Sequence, residues 1–179
     1  MAVTRERNRI KPPLDGAALE RAALFYAGRY ATSRARLKAY LTRKLRERGW
    51  AGQGEPPLDS LAERMAALGY VDDSAFASAR AASLSRRGYG VRRVDAALRA
   101  AGISEEDSGD AREIASNAAW EAALRFAERR KFGPFAPAQA DRSAYEKAFA
   151  AMLRAGHPAA IAKKILAARP GEIPEADSR

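Results

Sequence analysis

Gly69-Tyr70-Val71-Asp72-Asp73-Ser74-Ala75-Phe76-Ala77 is the stretch in which one helix must stop and another start. Gly69 suits a helix end, because glycine enters the left-handed backbone region without a side-chain penalty. With Asp72 as N-cap, Val71 falls at N′ and Phe76 at N4, the spacing of a hydrophobic staple, and the carboxylate can accept from an amide two or three residues on. Adjacent carboxylates can also hold Mg²⁺. No third oxygen ligand accompanies Asp72 and Asp73, so the cap is the preferred reading and no cofactor or metal is expected.

Working outward, Pro56-Pro57 opens the helix that Gly69 closes, with Leu58, Leu61, Met65 and Leu68 inward. Before it, Thr32-Ser33 supplies an N-cap for a helix with Leu37, Leu41 and Leu45 as its stripe and Gly49 as its stop. Asp15-Gly16 opens a first helix to about Tyr30, with Leu19, Ala23 and Tyr26 or Phe25 on its apolar face. Downstream, Asp72-Asp73 caps a fourth helix to about Arg87, and Tyr89-Gly90 breaks the chain. A fifth helix from Val91 carries Val94 and Leu98 to Gly102. A sixth, after Ser104, places Glu105, Glu106 and Asp107 in its first turn, where the helix dipole favours anions. A seventh spans about Ser116 to Arg130, an eighth runs from Asp141 to Arg154 and ends at Gly156, and a ninth follows His157-Pro158.

The middle helices of successive triplets therefore stop at Gly49, Gly102 and Gly156, at intervals of 53 and 54 residues, and each glycine follows a large apolar residue by four: Leu45, Leu98 and Met152. The fold class expected is all-α, with three tandem three-helix repeats forming an elongated, curved array. The boundaries are a basic flexible N-terminal tail over 1–13, repeats over 14–68, 69–115 and 116–169, and a flexible C-terminal tail over 170–179.

Composition narrows the function. The 179 residues include no cysteine and one histidine, which removes disulfide scaffolds, Cys/His zinc sites, cysteine nucleophiles and most serine hydrolase chemistry. Lys plus Arg is 32 against 22 Asp plus Glu, a formal charge of +10, and 25 of the cations are arginine. Residues 1–50 carry 13 cations and 4 anions, whereas residues 104–179 carry 12 of each. The 43 alanines suggest a compositional bias that enriches arginine everywhere. Bias alone would spread evenly, so the asymmetry points to an anionic partner. No apolar run spans a membrane, and arginines interrupt any N-terminal signal region, so a cytoplasmic protein is expected.

Gly69 to Ala77 resembles the G-Y-[IVL]-D-D-x-x-F-A signature of the RecX family, bacterial regulators of the RecA recombinase. Ser33-Arg34-Ala35-Arg36-Leu37, continuing through Leu41, Lys44, Leu45 and Gly49, is similar to that family's first-repeat segment. Gly90 to Val94, with Leu98, Gly102 and Ile103, resembles its second. The signature residues are thus Gly69, Tyr70, Asp72, Asp73 and Phe76, with the stops Gly49, Gly102 and Gly156. Three positions depart from the pattern: Arg36 stands where glutamate would complete a capping box with Ser33, Ala101 where a basic residue is common, and His157 where an aromatic is common.

The resemblance implies a non-enzymatic monomer that binds the groove of the RecA nucleoprotein filament, on single-stranded or double-stranded DNA. It would inhibit RecA ATPase, strand exchange and filament extension. The alternative is a sequence-independent DNA-binding protein that competes with RecA for DNA, and weak direct DNA binding fits either. Candidate contacts come from the charge map. They are Arg34, Arg36, Lys38, Arg43, Lys44 and Arg46 around the leucine stripe, then Arg80, Arg86, Arg87, Arg92 and Arg93, and lastly Arg129, Arg130 and Lys131. For each cluster the competing reading is a solvated helix face. Tyr26, Tyr40, Trp50, Phe76, Trp120, Phe126 and Phe149 fall at helical spacing and read as core. Tyr30 and Tyr89 sit in breaks beside arginines, where packing is preferred over stacking on bases.

Overall fold

The computed structural model describes residues 12–176, and the regular elements of the described chain are helices. Its helices are α1 (Gly16–Arg29), α2 (Arg34–Arg48), α3 (Leu58–Ala67), α4 (Asp73–Arg86), α5 (Val91–Ala100), α6 (Gly109–Asn117), α7 (Ala119–Arg130), α8 (Arg142–Arg154) and α9 (Ala159–Ala167). Among the described residues the only strand-like pairing is a single parallel bridge between Leu14 and Trp50. Most of the expected basic tail over 1–13 lies outside the described residues.

The described residues form two compact units, one up to Asp72 and one from Asp73. In the first, α1, α2 and α3 enclose Leu14, Leu19, Ala23, Leu37, Leu41, Leu61, Met65 and Val71. Each buried leucine is worth about 1.5–3 kcal/mol relative to exposure, and the i, i+4 spacing of Leu37 and Leu41 aims both at one core. Capping fixes the helix starts: the Asp15 carboxylate accepts from the Ala18 amide at 2.7 Å, and the Ser33 hydroxyl accepts from the Arg36 amide at 3.2 Å. Arg36 therefore leaves the serine half of the capping box intact.

The second unit holds two cores. Ala77, Ala81, Leu84, Val94, Leu98 and Ile103 pack with α6 residues Ala111 and Ala115. The alanine faces of α4 and α6 let these helices pack more closely than leucine faces would. The other core gathers Ala123, Phe126, Ala127, Met152, Ala162 and Ile165 from α7, α8 and α9. Val71 belongs to the core of the first unit and Phe76 packs on the first core of the second, so the pair whose spacing suggested one staple serves two cores.

Several boundaries differ from the sequence reading. Leu68, expected inward, is 61% exposed. At the end of α3 the Tyr70 amide donates to the Met65 carbonyl and the Gly69 amide to the Ala66 carbonyl, both at 2.9 Å, a stop that requires the left-handed Gly69 (φ 75°). The reversal brings Val71 back into the core, in place of Leu68. Phe25 is likewise 61% exposed, leaving Tyr26 as the aromatic that packs inward from α1. The acids expected to open α6 form a separate 3₁₀ turn, Glu106–Ser108, and α7 begins at Ala119 rather than near Ser116.

Gly102 and Gly156 end their helices in the same manner as Gly69, but Gly49 does not: its ψ of 173° sends the chain outward to the bridge with Leu14. Lys131 occupies the same left-handed stop after α7 (φ 55°) without being glycine. Gly156 (φ 93°) has no room for a side chain, because a methyl group there would overlap the Arg93 backbone amide. Gly156→Ala should therefore cost about 2–4 kcal/mol, the sum of left-handed strain and steric overlap. Gly69→Ala, with open space around it, should cost about 1 kcal/mol, and Lys131→Gly should gain about 0.5–1 kcal/mol. Thermal or urea unfolding of the three variants checks that order.

Candidate binding surface

Two grooves carry the cationic and aromatic side chains together. The first lies between the C-terminal half of α1 and α2, encloses about 700 Å³ and is lined by Phe25, Tyr26, Arg29, Tyr30, Arg36, Tyr40, Arg43 and Lys44. Tyr26 stacks on Tyr40 with ring centres 4.2 Å apart and planes 12° from parallel, and Tyr30 lies tilted against Tyr26 at 5.3 Å. Arg29 sits over Tyr30 at 5.9 Å, while Arg43 and Lys44 sit over Tyr40 at 5.6 and 5.8 Å. Arg43 and Lys44 share one carboxylate among the described residues, that of Glu47.

The second groove, about 320 Å³, lies between α4 and α5 and is lined by Arg80, Leu84, Arg87, Tyr89, Arg93, Ala96 and Ala97. Arg87 and Arg93 stand over the Tyr89 ring at 5.5 and 5.9 Å. Cations over aromatic faces attract the ring quadrupole by about 0.5–1 kcal/mol at exposed sites, enough to orient the guanidinium planes without fixing them.

The sequence-derived candidates divide by environment. Arg34 pairs with Glu63 at 3.2 Å and Lys38 with Asp59 at 2.7 Å, so both are engaged with α3. Arg36, Arg43 and Lys44 line the first groove. Arg46 is exposed on α2. Arg80, Arg87 and Arg93 line the second groove, with Arg86 and Arg92 exposed beside it. None of these last five has a carboxylate partner among the described residues. Arg130 lies over Phe126 at 5.8 Å, and Lys131 is the left-handed residue at the end of α7. Sequence reasoning missed Arg29, Tyr26 and Tyr40 as groove residues. The available signal was Arg29-Tyr30 at a helix end, with Tyr26 one turn earlier on the same face.

His157 is fully buried and packs against Phe126 with ring centres 5.3 Å apart. Neither ring nitrogen makes a well-formed hydrogen bond to the protein. Burial lowers its pKa from 6.5 to about 4; the Gly88 backbone partly offsets this, and the Arg129 charge adds to the lowering. It is a packed core residue rather than merely a helix start. Among the described residues no three His, Cys, Asp or Glu side chains gather as a metal site, and no helix is long and apolar enough to cross a membrane.

Residues 72–111 match the family model of the second three-helix domain of RecX. The chain is 30% identical over 162 residues to the regulatory protein RecX of Myxococcus xanthus (strain DK1622), an alignment covering 85% of this chain and 86% of that protein. The chain belongs to the RecX family. A crystal structure of a regulatory protein RecX has the same fold, with a TM-score of 0.58 at 18% identity, over 84% of this chain and 72% of that one. Both grooves are thus features of a RecX-family chain, and the second lies largely within the residues matched to that family's second three-helix domain.

The buried histidine gives a pH dependence of fixed sign. Unfolded His157 takes up a proton near pH 6.5 and folded His157 only near pH 4, so the stability present above pH 6.5 is lost progressively as pH falls toward 4. The loss should be on the order of 2–3 kcal/mol. Urea unfolding from pH 7 to 4 should show the slope in the native chain, and His157→Phe should flatten it.

Proposed function

We propose that this RecX-family chain regulates RecA by binding the RecA nucleoprotein filament on single-stranded or double-stranded DNA. On this reading it acts in the cytoplasm as a monomer and restrains RecA ATPase, strand exchange and filament extension without catalysis of its own. The observation that carries the reading is the set of arginines at 80, 86, 87, 92 and 93, exposed or groove-lining and without carboxylate partners among the described residues. Structural arginines usually find an acid, as Arg64 does in Glu20 at 2.6 Å and Arg112 in Glu105 at 3.3 Å. Five that do not are available to an external anionic surface.

Family membership supports a regulatory protein, and the RecA partner follows from the resemblance of its motifs. A filament repeats one protomer surface along its length. Three-helix repeats at 14–68, 69–115 and 116–169, the division proposed from sequence, can each meet an equivalent surface, and weak contacts on one chain then add through effective concentration.

The test is RecA's DNA-dependent ATPase and strand exchange with stoichiometric protein added. Inhibition is expected, and Arg86→Glu combined with Arg92→Glu should weaken it on the order of tenfold, as expected for charge reversal at an interface. Unchanged ATPase and strand exchange would overturn the proposal. DNA binding that is tight without RecA and falls steeply with salt, together with a RecA association that vanishes without DNA, would replace it with lattice competition.

A further inference from the structure

Beyond α9 the chain turns back on itself. Arg169-Pro170-Gly171-Glu172 is a type II turn: the Glu172 amide donates to the Arg169 carbonyl at 3.0 Å, proline sets the first central position, and Gly171 takes the left-handed second one (φ 87°). The turn is also pinned from outside, because the Gly171 amide donates to the carbonyl of the buried Pro134 at 2.8 Å. Pro174 keeps Ile173 before it extended. The residues after the turn therefore run back along α9 as a strap, and Ala176 arrives beside Ala160 and Ile161 near the start of that helix.

There Ala176 borders a hollow of about 330 Å³, whose walls include Ser116 and Asn117 at the end of α6, Trp120 of α7, and Ile161 and Lys164 of α9. Trp120 and Ile161 pack on the core of α7, α8 and α9, so this wall is firm and apolar. The Lys164 ammonium lies over the Trp120 ring at 5.6 Å and sets a cation beside it. From Gly171 to Ala176 the strap holds two carboxylates, Glu172 and Glu175, and no cation, whereas α9 carries Lys163 and Lys164 in succession. Its seating is shallow: Glu172, Ile173, Glu175 and Ala176 are all exposed, and the hollow stays open with the alanine methyl at its edge.

We propose that this hollow is a docking site for an extended acidic segment of a partner protein, and that residues 171–176 are a displaceable strap standing in that segment's place. The strap shows the chemistry accepted: carboxylates on an extended backbone beside lysines, with a proline that lowers the cost of ordering. A partner segment ending in a larger aliphatic side chain would fill the space that Ala176 leaves, and burial of that side chain favours it over the strap. The hollow shares no residue with the two cationic grooves or with the arginines at 80, 86, 87, 92 and 93. It therefore adds a second binding site to the chain and does not rest on the regulatory reading.

The probes are three fluorescent, N-acetylated hexapeptides followed by anisotropy: Gly-Glu-Ile-Pro-Glu-Ala, the same peptide ending in leucine, and the leucine peptide with both glutamates replaced by glutamine. The full chain should bind the leucine peptide several-fold tighter than the alanine peptide, and the glutamine peptide several-fold more weakly than the leucine one. A tethered strap competes at an effective concentration in the millimolar range. Glu172→Lys combined with Glu175→Lys should therefore raise affinity for the leucine peptide several-fold, and Lys164→Glu should lower it by as much. The two glutamates are exposed, so their double variant keeps its melting temperature and remains decisive if Lys164→Glu does not fold. No saturable binding to the double variant would overturn the proposal, as would equal affinity of the native chain and the double variant, or equal affinity for the leucine and alanine peptides. RecA enters none of these measurements, so the regulatory reading stands or falls separately.

Discussion

The start of α5 has no side chain to cap it, because its N-cap is Gly90, and its first amides would otherwise be unsatisfied. The loop after α8 supplies the acceptors: the Gly90 amide donates to the Ala155 carbonyl at 3.0 Å and the Arg92 amide to the Gly156 carbonyl at 3.2 Å. Such an approach of backbone to backbone is possible only where neither chain carries a Cβ, and glycine stands on both sides. This crossing joins the two cores of the second unit. It also fixes the start of α5, on which Arg92 and Arg93 are presented, and it brings His157 beneath the end of α4 beside Gly88. A helix start, a helix stop and a buried imidazole are therefore one construction.

The cations of this chain are not equivalent. Arg34 and Lys38 are satisfied by acids of α3, and exposed pairs of that kind contribute only about 0.2–1 kcal/mol. Arg87, Arg93, Arg43 and Arg130 lie over aromatic rings, and Lys131 bends the chain. A net charge of +10 averages over these different uses. Local surroundings, rather than the total, separate a guanidinium that holds a helix pair together from one that faces an outside partner.

The helices and their stops were legible because they rest on local chemistry: Asp15, Ser33 and Asp141 cap, Gly69, Gly102 and Gly156 stop, and Leu37 with Leu41 marks a face. Leu68 was not, since the left-handed turn at Gly69 acts two residues later and substitutes Val71. The crossing of Gly90 with Gly156 joins residues 66 apart, and no pattern within a window of one helix contains it. The arginine clusters were visible as clusters, but their partners were not. That Arg34 meets Glu63 depends on how α2 lies on α3. Tyr26 and Tyr40 read as core in the sequence because half-buried and fully buried aromatics share one spacing, and only the packed helices reveal the open side of the rings.

The meeting of Gly90 with Gly156 has a bearing on how such a chain can vary. A methyl group on Gly90 would fall on the Gly156 carbonyl, and one on Gly156 would fall on the Arg93 amide, so neither place accepts a larger residue unless the opposite segment retreats. Two stretches far apart in the sequence are thereby tied to a common history, and drift at one is answerable at the other.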